Sequence, residues 1–346
     1  MTKPRLAFVT LVLLVGGIGV YGATRLYGGA AEPYRGYRDA ELFVDIVSGT
    51  SAAGIGRQLV EAGVVADQRT FRIALWRSGR DRRLQAGEYR FAEPVSALDV
   101  IEVLARGQVH LRNVTFAEGL TRWEMADVFD RSEFGDAEAF LEASQRVDLI
   151  ADLDADATDL EGYLFPETYA LPRGANADDL VEAMVTQFRR AFDDTLLALA
   201  AERDMTVREV VTLASLIQRE TGKDDERPVV SAVYHNRLDR RIPLQCDPTV
   251  IYALQLAGLY DGNLTRANLR YDSPYTTYVY PGLPPGPIAA PGAADLHAAL
   301  SPANVSYVYF VSRNDGSHAF ADTLREHNHN VREYQVEYFR RRAADQ

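Results

Sequence analysis

Hydrophobic positions along the chain fall into runs, helical stripes and alternations, and the changes between them mark the elements. The first is a run: no charge interrupts Leu6 to Thr24, and a bilayer-crossing helix needs about 20 apolar residues. The pattern predicts a transmembrane anchor within residues 1–28. Lys3 and Arg5 before it favour a cytoplasmic N-terminus, a bias that Arg25 and Arg35 weaken. A cleaved signal peptide is the competing reading, since small residues follow Gly22, but a signal's apolar stretch is commonly ~7–15 residues. Residues 29–41, rich in Gly, Ala, Pro and charge, read as a linker.

From Leu42 the periods alternate. "LFVDIVSG" reads as a strand ending in a turn. "TSAAGIGRQLVEAGVV" carries apolar residues at helical spacing, with Thr50 or Ser51 as N-cap and Gly63 as the stop. "DQRTFRIALWRSG" repeats the plan between Asp67 and Gly79, "AGEYRF" is a short strand, and "SALDVIEVLARG" is a helix from Ser96 to Gly107. Residues 42–108 are thus expected to be a small α+β module.

Beyond Val109, "VHLRNVTFAEG" is a strand and turn, and short amphipathic helices follow to Leu149. Residues Ala177 to Glu202 and Val207 to Glu220 read as two long helices, and "PVVSAVYHNRLDR" as a third, with Pro228 in its first turn. After Leu244 the chain is rich in loops, and "YPGLPPGPIAAPG" can be neither helix nor central strand. "VSYVYFVSR" alternates like a half-buried strand, and "EYQVEYFRRR" closes with a helix. Residues 109–346 are expected to be a larger mixed α+β domain.

Composition narrows the function. The chain has 346 residues, 47% of them hydrophobic, enough for more than one core. Its net charge of -12 argues against a nucleic-acid partner, because phosphate binding needs a basic surface. A single cysteine, Cys246, excludes an internal disulfide and a cysteine-based zinc cluster.

Among residues that could carry chemistry, Glu220 breaks a rule. Leu213, Leu216 and Ile217 form an apolar stripe at i, i+3 and i+4, and the i+7 member is Glu220, in the last turn. Desolvation and the negative end of the helix dipole would both raise its pKa, as a general acid requires. An ion pair with Arg219, Arg227 or Arg237 is the structural alternative, and spacing does not decide between them. "SPYTTYVYPGLPPGPIAAPG" combines a stiff backbone with Tyr275, Tyr278 and Tyr280, which suits either a sugar-binding wall or a surface loop. In "LQCDPTVIY", Asp247 before Pro248 reads first as an N-cap. Glu161 and Glu167 flank an aromatic patch and could supply a second carboxylate or a turn. The acidic stretch "ADLDADATDLEG" lacks the glycine and terminal glutamate of a calcium loop. His318, His327 and His329 lack metal-ligand spacing, and no phosphate-binding glycine loop or GxSxG elbow is present. No metal or cofactor is expected.

Together, "LASLIQRET", "ERPVVSAVYHNRL", "IPLQCDPTVIY", "SPYTTYVYPGLPPGPIAAPG" and "HAFADTLREHN" closely resemble the endolytic murein transglycosylase (YceG-like) family, in order and spacing. The resemblance implies a LysM-like module over residues 42–108 and a catalytic domain over 109–346. It implies a single-pass enzyme of the bacterial inner membrane, with its bulk on the periplasmic side, that cuts nascent peptidoglycan glycan strands internally. The cut, between N-acetylmuramic acid and N-acetylglucosamine, leaves a 1,6-anhydro end, so the reaction is a lyase reaction that ends strand elongation. Peptidoglycan synthases of the elongation or division machinery are the implied partners.

The family's catalytic glutamate falls on Glu220. Relatives often carry a second glutamate where this chain has Gln218, and an asparagine where it has Thr276. The implied Glu220 donates a proton to the glycosidic oxygen, then takes one from the C6 hydroxyl as that group attacks C1. An internal nucleophile needs no positioned water, so a second carboxylate is dispensable. Gln245, Thr249, Tyr252, Thr277 and Tyr278 are the candidates for holding sugar. A non-catalytic peptidoglycan-binding scaffold and a lysozyme-type hydrolase using Glu161 or Asp247 are the alternatives.

Overall fold

The computed structural model describes residues 28–344 and divides into two units. One extends to Arg112 and takes in Ala170–Gly174; the other holds Asn113–Tyr169 and the chain from Ala175 onward. The expected anchor lies outside the described residues. Among those described, no helix is long and apolar enough to cross a membrane.

In the first unit, β1 (Leu42–Ile46) pairs antiparallel with β2 (Gly87–Phe91), with Leu42 opposite Phe91 and Ile46 opposite Gly87. Helices α1 (Ala52–Glu61), α2 (Gln68–Ser78) and α3 (Ala97–Ala105) complete it. The caps are those legible in sequence. Ser51, Asp67 and Ser96 each accept a first-turn amide proton, and Gly63, Gly79 and Gly107 follow the helices with φ of 75°, 64° and 62°. Val44, Ile46, Leu59, Phe71, Tyr89, Ile101 and Leu104 make the core. A Cβ at Gly56 would sit 2.5 Å from Phe71, so α1 needs glycine there to lie close to α2. Glu88 is buried but held by Arg112 and Arg173 at 2.9 and 2.8 Å.

In the second unit, α4 (Arg122–Asp130) and α5 (Ala137–Ala143) pack together, and α5 also meets α6 (Ala177–Ala191). Next come α7 (Asp194–Glu202), α8 (Val207–Glu220), α9 (Arg227–Asp239), α10 (Asp247–Leu256) and α11 (Ala293–Leu300). A capping box of Thr206 and Glu209 starts α8. Every residue from Val210 to Ile217 is buried, and α7, α9, α10 and α11 all pack on the helix. Of its buried polar members, Ser215 donates to the Thr212 carbonyl and accepts from the Ile288 amide, while Thr212 Oγ1 has no hydrogen-bond partner among the described residues.

Strands β3 (Leu111–Thr115) and β4 (Thr168–Pro172) pair, and the division between the units falls within both. Strand β5 (Tyr309–Ser312) pairs antiparallel with β6 (His318–Ala321), followed by α12 (Leu324–Val331), a π-helical stretch (Arg332–Glu337) and α13 (Tyr338–Ala344).

The mixed α+β class is as expected. The single helix read from Ala177 to Glu202 is two: Phe192 leaves helical geometry at ψ 70°, and Asp193 caps a new helix by accepting from Thr195 and Leu196. Strands β4 and β6 and helix α11 carried too few periodic residues to be read.

Candidate active site

Helix α8 stops at Glu220 because Thr221 turns to extended backbone, φ -138° and ψ 134°. Leu213, Leu216 and Ile217 anchor the stripe with no exposure at all. The carboxyl at its end is half-buried and lines a cavity of about 280 Å³. Gln245, Asp247, Tyr278, Arg237 and His318 line the same cavity, with Leu244, Phe310 and Val311 as apolar wall.

The ion-pair alternative for Glu220 is not what forms. Arg219 donates to the Gly119 carbonyl, and Arg227 is taken by Asp295 and Asp224. Arg237 is pinned by carbonyls: its Nε donates to Val308 at 2.6 Å, and Nη1 to Leu244 at 2.7 Å and Pro243 at 3.1 Å. Glu220 Oε1 instead accepts from the Tyr234 hydroxyl at 3.1 Å. Burial raises its pKa. Hydrogen bonds from Cys246 and Tyr234 oppose that, the Asp247 charge adds to it, and His318 opposes it. The group therefore keeps its proton to higher pH than an ordinary carboxyl.

The turn before α10 places the next residues. Gln245 has φ 51°, a left-handed conformation costly for a side chain with a Cβ. The turn is held by Thr277: its carbonyl accepts from the Gln245 amide and its hydroxyl from the Cys246 amide at 3.0 Å. Thr249 Oγ1 meets Thr277 Oγ1 at 2.9 Å and donates to the Cys246 carbonyl. Thr249 and Thr277 are buried beneath the turn and brace it; they are not part of the cavity lining. Tyr252 also lies elsewhere, packed between Trp123 and Tyr275 with its hydroxyl 3.3 Å from Glu161. Of the five expected sugar contacts, Gln245 and Tyr278 reach the cavity with Glu220.

Asp247 is not the N-cap its position before proline suggested. Cys246 precedes the helix, Asp247 is its first residue, and its carboxylate accepts from the Tyr278 hydroxyl at 2.7 Å. The proline-rich loop divides its tyrosines: Tyr278 faces the cavity, Tyr275 joins Tyr252, and exposed Tyr280 donates to Asp272. Glu161 is buried, accepts from the Arg122 amide and Tyr252, and is pushed up to about 8 by burial. It lies outside the cavity lining, and Glu167 is exposed.

Sequence reasoning weighed His318 only as a metal ligand. In the fold it opens β6 into the cavity, its Nδ1 2.7 Å from Glu226 Oε2, while its backbone amide donates to Glu226 Oε1 at 3.0 Å. His327 also lines the cavity, whereas His329 is exposed. Tyr234 was missed as well. It sits at the expected helical position of α9, but only the packing of α9 on α8 brings it to Glu220.

The profile of the YceG-like family matches residues 44–333. An endolytic murein transglycosylase of Bacillus subtilis is 29% identical over 333 residues, covering 91% of this chain and 89% of that protein. One from Streptococcus pneumoniae is 28% identical over 324 residues; the match takes in 84% of this chain and 58% of the relative's length. The crystal structure of a YceG-like protein from Listeria monocytogenes superposes with a TM-score of 0.56 at 27% identity, covering 84% of this chain and 99% of that one.

Proposed function

The chain belongs to the YceG-like family, and from that premise we propose that it is an endolytic murein transglycosylase that cuts peptidoglycan glycan strands with Glu220 as its acid. The names of the similar proteins support the reaction class. The observation that carries the assignment to Glu220 is a carboxyl at the end of a helix buried from Val210 to Ile217, opening into a cavity, with no cationic hydrogen-bond partner among the described residues and with its pKa raised by burial.

The chemistry follows from those properties. Protonated Glu220 donates to the oxygen that bridges N-acetylmuramic acid and N-acetylglucosamine as C1 takes on oxocarbenium character. The C6 hydroxyl of the same sugar bonds to C1 and gives its proton to the Glu220 carboxylate, which restores the acid. Tyr234 fixes the orientation of the carboxyl. Gln245 and Tyr278 contact the sugar directly, while Thr249 and Thr277 hold the turn that presents Gln245. Residues 1–28 anchor the enzyme in the inner membrane, residues 42–108 form a LysM-like module, and the catalytic domain works on the periplasmic side. Peptidoglycan synthases are the partners this placement suggests.

The test is mass spectrometry of uncrosslinked glycan strands incubated with the protein and with Glu220→Gln. Anhydro-ended fragments are expected from the native protein, and a rate lower by ~10²–10⁴-fold from the variant, the usual worth of a general acid. Reducing-end fragments would make the protein a hydrolase, and binding without cleavage would make it a scaffold.

A further inference from the structure

His318 carries an arrangement that the acid's role leaves unused. An ionised carboxylate only accepts hydrogen bonds, and Glu226 accepts from both the backbone amide and Nδ1 of His318, at 3.0 and 2.7 Å. Glu226 is itself buried and stands just before the first residue of α9, so the imidazole is held at two points. With Nδ1–H committed, the neutral ring offers Nε2 as an acceptor, and Nε2 has no partner among the described residues.

Apolar side chains stand on one side of that ring. Phe310 packs edge-on against the ring at 5.3 Å and 82°, Phe320 lies at 6.3 Å, and Phe310 and Val311 line the cavity beside it. Three of the other polar side chains facing the cavity are engaged; Gln245 is exposed, and His327 Nδ1 is buried without a hydrogen-bond partner among the described residues. Arg237 is tied to three carbonyls, Asp247 to Tyr278, and Glu220 to Tyr234. His327 is stacked on Tyr309. A fixed acceptor beside apolar side chains matches a group that presents one N–H and one methyl.

The geometry points to a subsite in which His318, oriented by Glu226, accepts the N–H of the sugar's 2-acetamido group while Phe310 and Val311 cover its methyl. This rests on the transglycosylase reading and makes the cleavage selective for N-acetylated strands. His318 touches the substrate; Glu226 is a positioning residue that acts through it.

The experiment compares kcat/KM on N-acetylated glycan strands and on the same strands chemically de-N-acetylated, for the native protein, His318→Ala and Glu226→Gln. The native protein should favour acetylated strands by about 10- to 100-fold, the scale of a lost apolar contact together with an ammonium placed against the apolar side chains. In both variants the ratio should collapse toward one, because the rate on acetylated strands falls further than the rate on de-N-acetylated ones. Glu226→Gln keeps size and polarity and decides alone if His318→Ala melts early. A native protein indifferent to acetylation, or folded variants that keep the native ratio, would overturn the subsite and leave the proposed reaction standing. No cleavage of any strand by the native protein would overturn the reaction itself.

Discussion

At the scale of single residues, environment separates two glutamates of the same chain. Burial raises the pKa of both Glu220 and Glu161, but only Glu220 opens into the cavity. Activity should therefore fall as pH rises through the raised pKa of Glu220, when the acid loses its proton. Asp247→Asn removes a charge that helps to retain that proton, so the alkaline limb of a pH–rate profile should move to lower pH.

Glu161 should appear in stability instead. Its pKa rises from 4.5 to about 8 on folding, so its contribution is complete below the unfolded value and is lost as pH rises through about 8. Melting temperatures measured across that window should decline with pH, and Glu161→Gln should flatten the decline.

At the scale of elements, the packing of α8 determines where the acid sits. Thr206→Ala removes its N-cap and should cost about 1 kcal/mol in denaturant unfolding. Leu216→Ala removes a fully buried side chain and should cost ~2–5 kcal/mol. Gly56→Ala in α1 forces a Cβ onto Phe71 and should destabilise the first unit without lowering turnover by an intact site.

Caps and stripes made most of this architecture legible: Ser51, Asp67 and Ser96 each stand where a helix begins. Local signals failed where a break or a meeting is decided elsewhere. Asp193 interrupts a continuous apolar stripe, because an aspartate inside a helical pattern and one that caps a new helix look alike in sequence. Glu220 stood out as a candidate because it violated its own stripe. His318, Glu226 and Tyr234 were not, since residues distant along the chain meet only when β6, α9 and α8 pack.

At the scale of the whole molecule, the proposed anchor and the catalytic reading make separable claims. The full chain should sediment with bacterial membranes, and a chain lacking residues 1–27 should stay in the soluble fraction while still producing anhydro ends from free strands. A truncated chain that still pellets with membranes would place the anchoring elsewhere.

The burial of α8 along its length has a consequence for the cell. Because Val210 through Ile217 are locked among neighbouring helices, the proposed acid Glu220 is carried on a fixed helix, and on that reading a glycan strand must be drawn to it. Any loosening of that core displaces the acid as well. Conditional mutations deep in the helix would then be read in the wall as a change in strand length, with the longest strands in cells grown nearest the variant's melting temperature.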